Sequence, residues 1–263
     1  FGSRVAGPSE RAIPIVAMAG LRAILALLLA KSGLAREGCT PDDKSYDILL
    51  LVQAWPNSWC VRQACKDHSF AALSVWTMHG LWASRIGDAA RTYPCQCDDR
   101  SFDESQVISI RDQLRQFWPS ENGNEDGFWA HEWTKHGTCS SDVPSLKSEL
   151  GFFNTTLGLR QARDVGAALQ KAGIVPDNHN GYDRSALVAA LKPMTGLEPL
   201  LGCVTADGVQ YLHEVSFCLD KTLKDIECDS SVVHLEGDEV SNCKDSNKIT
   251  LVQPGAQRAT VVV

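Results

Sequence analysis

Two stretches of the chain combine histidines with tryptophans in a pattern that fits proton transfer. Residues 76–82 contain His79, and residues 128–139 contain His131 and His136. An imidazole takes up and releases protons readily, because its unperturbed pKa is about 6.5. The two stretches therefore predict a site in which histidines act as acid and base.

The second stretch also brings together cations and a carboxylate. In a regular helix His131 and Lys135 share one face, as do Glu132 and His136, because residues four apart are neighbours. A site for a phosphodiester needs this mixture, with positive donors for the charge that develops on phosphorus and one imidazole kept usable as a base. The alternative is a helix with ordinary surface ion pairs, and the pattern alone leaves both open.

A zinc site is a second interpretation of the same stretch, since His-Glu-x-x-x-His resembles a metalloprotease motif. The spacing argues against it. Histidines four apart diverge by about 40° around a regular helix, whereas histidines five apart diverge by about 140°. We therefore expect that His131 and His136 do not share a metal, and the sequence predicts neither a metal nor another cofactor.

Composition places the chain among ordinary globular proteins. With 44% hydrophobic and 22% charged residues among 263, disorder is not expected for most of the chain. The formal net charge of −7 argues against tight, non-specific binding of nucleic acid, which usually leaves a basic footprint. A local basic site on an acidic protein stays open.

The ten cysteines predict a disulfide framework and an oxidising compartment, because their number is even and they are spread along the chain. A structural zinc module is the alternative. It is disfavoured because the sequence has no CxxC pair and because Cys95 and Cys97 are too close in sequence.

The beginning of the chain predicts export. The apolar run 21–30 is too short to span a bilayer and fits a signal peptide that starts at Met18 and is cleaved near Ala35. A buried core helix is the alternative. Residues 1–17 resemble a translated upstream stretch. We thus expect an upstream stretch and signal peptide over 1–35 and one domain over 36–263, without membrane association once the signal is removed.

The elements that would position the histidines follow from periodicity and turn residues. Ser101 and Glu104 are expected to form a capping box at the start of one helix. Short apolar runs bounded by turn residues predict strands, and a period near 3.6 predicts helices. The predicted strands cover 46–52, 74–78, 209–218 and 249–252, and the predicted helices cover 101–118, 145–157, 159–172 and 184–192.

Both histidine stretches resemble the active-site segments of the acid endoribonucleases of the ribonuclease T2 family, which includes the plant S-like ribonucleases. The family segments are His-Gly-Leu-Trp-Pro and His-Glu-Trp-x-Lys-His-Gly-Thr-Cys. Residues 79–82 match the first up to the proline, which is Ala83 here, and residues 131–139 match the whole of the second. The resemblance extends over residues 45–252 and includes the run Gln-Ala-Trp-Pro at 53–56.

The resemblance implies a fold and a reaction. The fold is α+β, a single disulfide-stapled domain in which helices surround a twisted antiparallel sheet. The reaction is cleavage of single-stranded RNA by transphosphorylation through a 2′,3′-cyclic phosphate to a 3′-phosphate, which requires the 2′-OH that DNA lacks. The resemblance implies His136 as general base and His79 as general acid, with His131, Glu132 and Lys135 binding the phosphate.

The resemblance also implies residues around the catalytic group. Gln53 and Trp82 are expected to contact substrate, Trp82 by stacking on a base, whereas most of the other tryptophans are expected in the core. Asn154 begins a glycosylation sequon. Cys39 and Cys95 are left over as a candidate pair. The bridges implied by the family are Cys60–Cys65, Cys97–Cys139, Cys203–Cys243 and Cys218–Cys228.

An inactive storage or defence protein with the same fold is the competing function. Such a protein is expected to lack a catalytic histidine, and both His79 and His136 are present, which favours the enzyme. Ser84 stands where some relatives have an acidic residue that reads the base, so the base preference stays open. We expect a monomer that is extracellular or vacuolar.

Overall fold

The computed structural model of the chain describes residues 2, 38–41, 43–62, 65–87, 92–228, 232 and 242–255. The expected signal peptide therefore lies outside the described residues. The chain divides into two units, 1–36 and 37–263, and all of the architecture below belongs to the second. No helix within the described ranges is both long enough and apolar enough to cross a membrane.

A twisted sheet forms the centre of this unit, as expected for an α+β protein. Four antiparallel strands lie in the order β3-β2-β6-β5, and β7 adds to β6 in parallel. The central strand β2 is buried along its whole length, which explains its continuous run of apolar residues. These strands are β2 Ile48–Ala54, β3 Thr77–Ser84, β5 Leu200–Ala206, β6 Val209–Leu219 and β7 Ile249–Thr250, and a separate parallel pair consists of β1 Gly38–Pro41 and β4 Thr92–Cys95.

Helices surround the sheet, and an aromatic core fills the space beneath the second histidine stretch. In that core Trp118 packs edge-on against Phe153 with ring centroids 5.2 Å apart, and Trp133 packs against Phe152 at 5.8 Å. The helices are α1 Pro56–Arg62, α2 His68–Ala71, α3 Arg111–Phe117, α4 Glu125–His131, α5 Glu149–Ala162, α6 Val165–Lys171 and α7 Arg184–Leu191, with shorter 3₁₀ turns at Glu104–Ile110, Gly137–Ser140, Pro144–Leu146 and Lys192–Met194.

The structure differs from the expected helix over 101–118 and its expected capping box. A 3₁₀ segment covers Glu104–Ile110, and α3 begins only at Arg111. The cap is Asp103, whose side chain accepts from the Ser105 backbone N, so Ser101 does not cap this segment. A carboxylate two residues before that N–H is the better-placed acceptor, and the capping-box prediction was wrong.

Several element bounds also differ from the predictions. The strand expected at 74–78 begins at Thr77 and continues through His79 to Ser84. The helices expected at 145–157 and 159–172 are α5 and α6, which meet at Asp164, the N-cap of α6. Strand β7 covers only two of the four residues expected at 249–252.

All ten cysteines are paired, which confirms the disulfide framework. The four bridges implied by the family are present, and Cys39 pairs with Cys95, which joins β1 to β4. The structural zinc alternative for these cysteines is thereby excluded, because their thiols are used in covalent bonds.

Candidate active site

His79 lies in a β-bulge on β3. The register between β2 and β3 pairs Val52 with Gly80 and Gln53 with Met78, so it passes over His79. A bulge re-aims the side chain of its extra residue, and bulges are frequent next to active sites. The backbone carbonyl of His79 accepts a hydrogen bond of 2.9 Å from the indole N–H of Trp118. Core packing therefore holds the bulge in place.

A second bulge lies on β6, the strand that neighbours β2 on the side opposite to β3. The register between β5 and β6 pairs Gly202 with Glu214 and Cys203 with Leu212, so it passes over His213. Glu214 pairs with Ala54, the last residue of β2. The Glu214 carboxylate reaches the imidazole of His79, with 2.5 Å between Oε1 and Nδ1.

The second histidine stretch changes helix type within the motif. Helix α4 ends at His131, a π-helical turn covers Glu132–His136, and a 3₁₀ turn follows over Gly137–Ser140. In a π turn each backbone N–H bonds to the carbonyl five residues earlier, so one turn holds about one residue more than a turn of α-helix. His131 and His136 consequently face each other, with ring centroids 6.0 Å apart.

This geometry corrects one expectation from the sequence and agrees with another. Glu132 and His136, four residues apart, lie close together as expected, while the π turn also brings together His131 and His136, which are five apart. The argument against a shared metal assumed a regular helix, and its geometric premise was wrong, because ligand atoms of His131, Glu132 and His136 all lie within 4.8 Å of one another.

A loop next to β4 braces the π turn from outside. Gln96 donates its backbone N–H to the carbonyl of Lys135, and Cys97 donates its own to the hydroxyl of Thr138. The disulfide between Cys97 and Cys139 fastens the end of the motif to the same loop. These contacts provide hydrogen-bond partners for the irregular helical segment, and so they hold the π turn in one conformation.

Trp82 lies between the two histidine stretches rather than at the surface. Its ring is edge-on to that of His79 at 4.8 Å and tilted against that of His136 at 5.5 Å. Its indole N–H donates to the Glu132 carboxylate at 3.0 Å. Only 1% of Trp82 is exposed in this structure, and the stacking of Trp82 on a base stays a prediction. Its ring separates the imidazoles of His79 and His136.

His79 and His136 are each followed by a glycine for a steric reason. A Cβ on Gly80 would collide with the Trp82 indole and the Glu132 carboxylate, which meet directly over this residue. A Cβ on Gly137 would come within 2.5 Å of the Trp133 ring. Close packing therefore explains each His-Gly pair, and neither glycine requires an unusual φ.

Gln53 lies in the interior, near the end of β2. Its side chain is fully buried, and its amide donates to the carbonyl of Arg163 at 2.6 Å. This contact ties the end of β2 to the end of α5, and a contact between Gln53 and substrate stays a prediction. An open apolar pocket borders His79, and half-buried Trp59 and Phe128 line it.

Burial shifts the pKa values of Glu132, His131 and Lys135. It raises the pKa of Glu132 to about 7, against the opposing effects of His79, the Trp82 hydrogen bond and Lys135. Partial burial and the charges of Lys135 and His79 lower the pKa of His131 to about 4. Burial also lowers the pKa of Lys135, while Glu132 opposes that shift. At mildly acidic pH His131 is thus a neutral donor and Lys135 supplies the positive charge.

The Trp82–Glu132 hydrogen bond leads to a prediction. In Trp82→Phe the Glu132 carboxylate loses a buried donor, which costs about 1–3 kcal/mol. We expect kcat/KM on RNA to fall about tenfold or more, since about 1.4 kcal/mol corresponds to a factor of ten. Trp55→Phe is the matched control, because it removes an indole donor to the Val252 carbonyl. Equal activity losses in both variants would contradict a specific role for Trp82.

Comparison with known proteins gives consistent results. Residues 46–228 match the ribonuclease T2 family. The chain is 31% identical to ribonuclease 1 of Arabidopsis thaliana over 214 residues, 79% of this chain and 89% of the relative. It is 34% identical to extracellular ribonuclease LE of Solanum lycopersicum over 184 residues, 67% of this chain and 77% of the relative.

Solved structures agree with the sequence comparison. The crystal structure of RNase NT in complex with 5′-AMP superposes with a TM-score of 0.66 at 26% identity, over 80% of this chain and 99% of that one. Human RNase T2 superposes with a TM-score of 0.62 at 27% identity, with the same coverage of both chains.

Fold and site together define a disulfide-stapled α+β endoribonuclease with a histidine-rich centre. The chain belongs to the ribonuclease T2 family. Its activity is the cleavage of RNA within the strand.

Proposed function

We propose that His136 is the general base and His79 the general acid of RNA transphosphorylation. The arrangement of both imidazoles against the single indole of Trp82 carries this assignment, with centroid distances of 4.8 and 5.5 Å. It places one imidazole on each side of the indole, and we infer that the phosphodiester approaches both imidazoles along the edge of this ring. Acid and base must act on opposite sides of the phosphorus, because the entering 2′-oxygen and the leaving 5′-oxygen are in line.

The proposed reaction has two balanced steps. His136 takes the proton of the 2′-OH while the 2′-oxygen bonds to phosphorus, and His79 gives its proton to the departing 5′-oxygen. The products are a 2′,3′-cyclic phosphate and a free 5′-OH. In the second step water attacks the cyclic phosphate with the two histidines in reversed roles, and the product is a 3′-phosphate.

His131, Glu132 and Lys135 are proposed to bind the phosphate. Lys135 is the cation of this group, and His131 offers a neutral N–H that can donate to a phosphate oxygen. Burial keeps the pKa of Glu132 at about 7, so at mildly acidic pH this carboxyl is mostly protonated and does not repel the phosphodiester. A metal-free centre of this kind needs no cofactor.

The substrate is proposed to be single-stranded RNA with a base beside His79. Trp59 and Phe128 present partly open aromatic rings at 5.3 and 6.4 Å from the His79 ring. Aromatic faces bind unstacked bases, which only single strands offer. The crystallised relatives RNase NT and an RNase MC1 mutant were solved with 5′-AMP and 5′-UMP, which supports nucleotide binding by this fold.

Export and the oligomeric state belong to the same proposal. Five disulfides require an oxidising compartment, and a curated relative is named an extracellular ribonuclease. We propose that residues 36–263 act as a monomeric ribonuclease domain delivered through the secretory pathway, to the outside or to a vacuole. Asn154, exposed on α5, is the proposed glycosylation site.

Digestion of a dinucleotide in EDTA tests the proposed reaction. Products are followed over time by chromatography. We expect a 2′,3′-cyclic phosphate first and a 3′-phosphate later, and no cleavage of the 2′-deoxy dinucleotide. Cleavage of the 2′-deoxy substrate, or loss of all activity in EDTA, would contradict the mechanism.

A further inference from the structure

Glu214 is the acidic side chain nearest to the proposed general acid. It lies on β6, directly after the bulge residue His213. Its side chain is 12% exposed and that of His79 is 14% exposed, and the two are joined by the 2.5 Å contact between Oε1 and Nδ1. Ala54 pairs with Glu214 and lines the same pocket as His79. Its small side chain leaves room for the two groups to meet across β2.

The contact determines which nitrogen of His79 faces the substrate. A carboxylate accepts from Nδ1–H, so the proton for the leaving group must come from Nε2. The hydrogen bond also fixes the plane of the ring, which is then held on its other sides by the rings of Trp82 and Trp59. An acid that must donate in one direction benefits from such an orientation, because misplaced groups lose much of their effect.

We propose that Glu214 is a positioning residue for catalysis, which orients His79 and keeps it charged as the general acid. This inference rests on the proposed role of His79. The Glu214 carboxylate contacts the imidazole directly, so its effect on the reaction passes through His79.

The electrostatic surroundings of His79 agree with this role. Burial alone would lower the pKa of His79, but the charge and the hydrogen bond of Glu214 raise it above its ordinary value. The carboxylates of Glu132 and Glu121 also raise the pKa of His79. His131, when protonated, is the neighbouring cation. Of these groups, only Glu214 is joined to His79 by a short hydrogen bond.

The first test is the pH dependence of kcat/KM on a dinucleotide. His79 must be protonated to act, so activity falls as the pH rises through the pKa of His79. In Glu214→Gln this alkaline limb should move to lower pH by about one unit or more, since an opposite charge at this distance shifts a pKa by about 1–3 units. In Glu214→Asp, which keeps the charge, the limb should stay closer to that of the wild type.

The second test compares leaving groups. A uridine 3′-(4-nitrophenyl phosphate) releases a phenolate that needs little protonation, whereas a dinucleotide releases an alkoxide that must be protonated. We expect Glu214→Gln to lose at least about tenfold in kcat on the dinucleotide, a part of the 10²–10⁴ that acid catalysis contributes. On the nitrophenyl ester the loss should be less than about threefold.

A control and two reference variants make the outcomes separable. Glu149→Gln removes another largely buried carboxylate, which accepts from the Asp103 backbone N on a different element, and should leave both substrates unaffected. His79→Ala should show the same dependence on the leaving group as Glu214→Gln, and His136→Ala should lose activity on both substrates. Equal losses on both substrates with an unmoved alkaline limb in Glu214→Gln would overturn the proposal for Glu214. If His79→Ala itself showed no dependence on the leaving group, the proposed function would fail instead. Thermal unfolding of Glu214→Gln and Glu214→Asp confirms that folded protein is compared.

Discussion

Replacement of His79 or His136 by alanine should lower kcat/KM on a dinucleotide by about 10²–10⁴-fold each. Each variant removes one of the two groups that move a proton in the first step. The fold should persist, because His79 lies in a bulge that Trp118 holds through the backbone and because the His136 turn is held by backbone contacts and a disulfide. Steady-state kinetics and thermal unfolding of the same preparations check both statements.

The matched control for these variants is His179→Ala. His179 is an exposed histidine on the loop before α7, where its backbone N–H donates to the Asp177 carboxylate. This variant should retain wild-type kcat/KM. Near-wild-type turnover in His79→Ala or His136→Ala would remove that residue from the mechanism.

Removal of the Cys97–Cys139 bridge should have the second largest effect. The bridge closes a loop of 42 residues, for which loop-closure entropy gives about 4 kcal/mol in the free energy of unfolding. Activity should fall further than this loss of stability explains, because the bridge fastens the 3₁₀ turn that follows His136. The double variant Cys97→Ala/Cys139→Ala is compared with the wild type by urea unfolding and by kcat at a temperature where both are folded.

The Cys60–Cys65 bridge provides the control. It closes only 5 residues, so its removal should cost about 2 kcal/mol, and it lies on α1 and the segment after it. The double variant Cys60→Ala/Cys65→Ala should therefore keep more activity. A larger loss of kcat from this variant than from the Cys97–Cys139 variant would contradict the bracing role.

The sequence predicts the chemistry of this protein better than its geometry. The residue types in the two histidine stretches, together with the family resemblance, were sufficient to predict the fold class, four disulfides and the set of side chains that converge. Each of these depends on local patterns or on whole motifs. The position of Gln53 and Trp82 in the interior was not predicted, because a polar or aromatic residue near a motif fits a binding role as well as a packing role.

Geometry that depends on irregular backbone escaped prediction for a physical reason. The π turn over 132–136 and the bulge at His79 each shift the register by one residue, and periodicity arguments assume that no such shift occurs. Glu214 was missed because its contact spans 135 residues. One local signal was available, namely a glutamate in a predicted strand that also contains Leu212 and Val215, where a buried charge needs a partner.

The pH profile of kcat/KM on a dinucleotide tests the central claim, that two imidazoles act as acid and base, most directly. A neutral His136 and a protonated His79 are both required, so activity should fall on the acid side as His136 takes up a proton and on the alkaline side as His79 loses one. Because Glu214 raises the pKa of His79, the alkaline limb should lie above the ordinary histidine value of about 6.5. We expect a bell-shaped profile over pH 3.5–9 (roughly the range set by two histidine titrations) with its maximum on the acid side of neutrality. Activity that still climbs above about pH 8 would contradict the account, because the loss of the His79 proton must lower activity on the alkaline side.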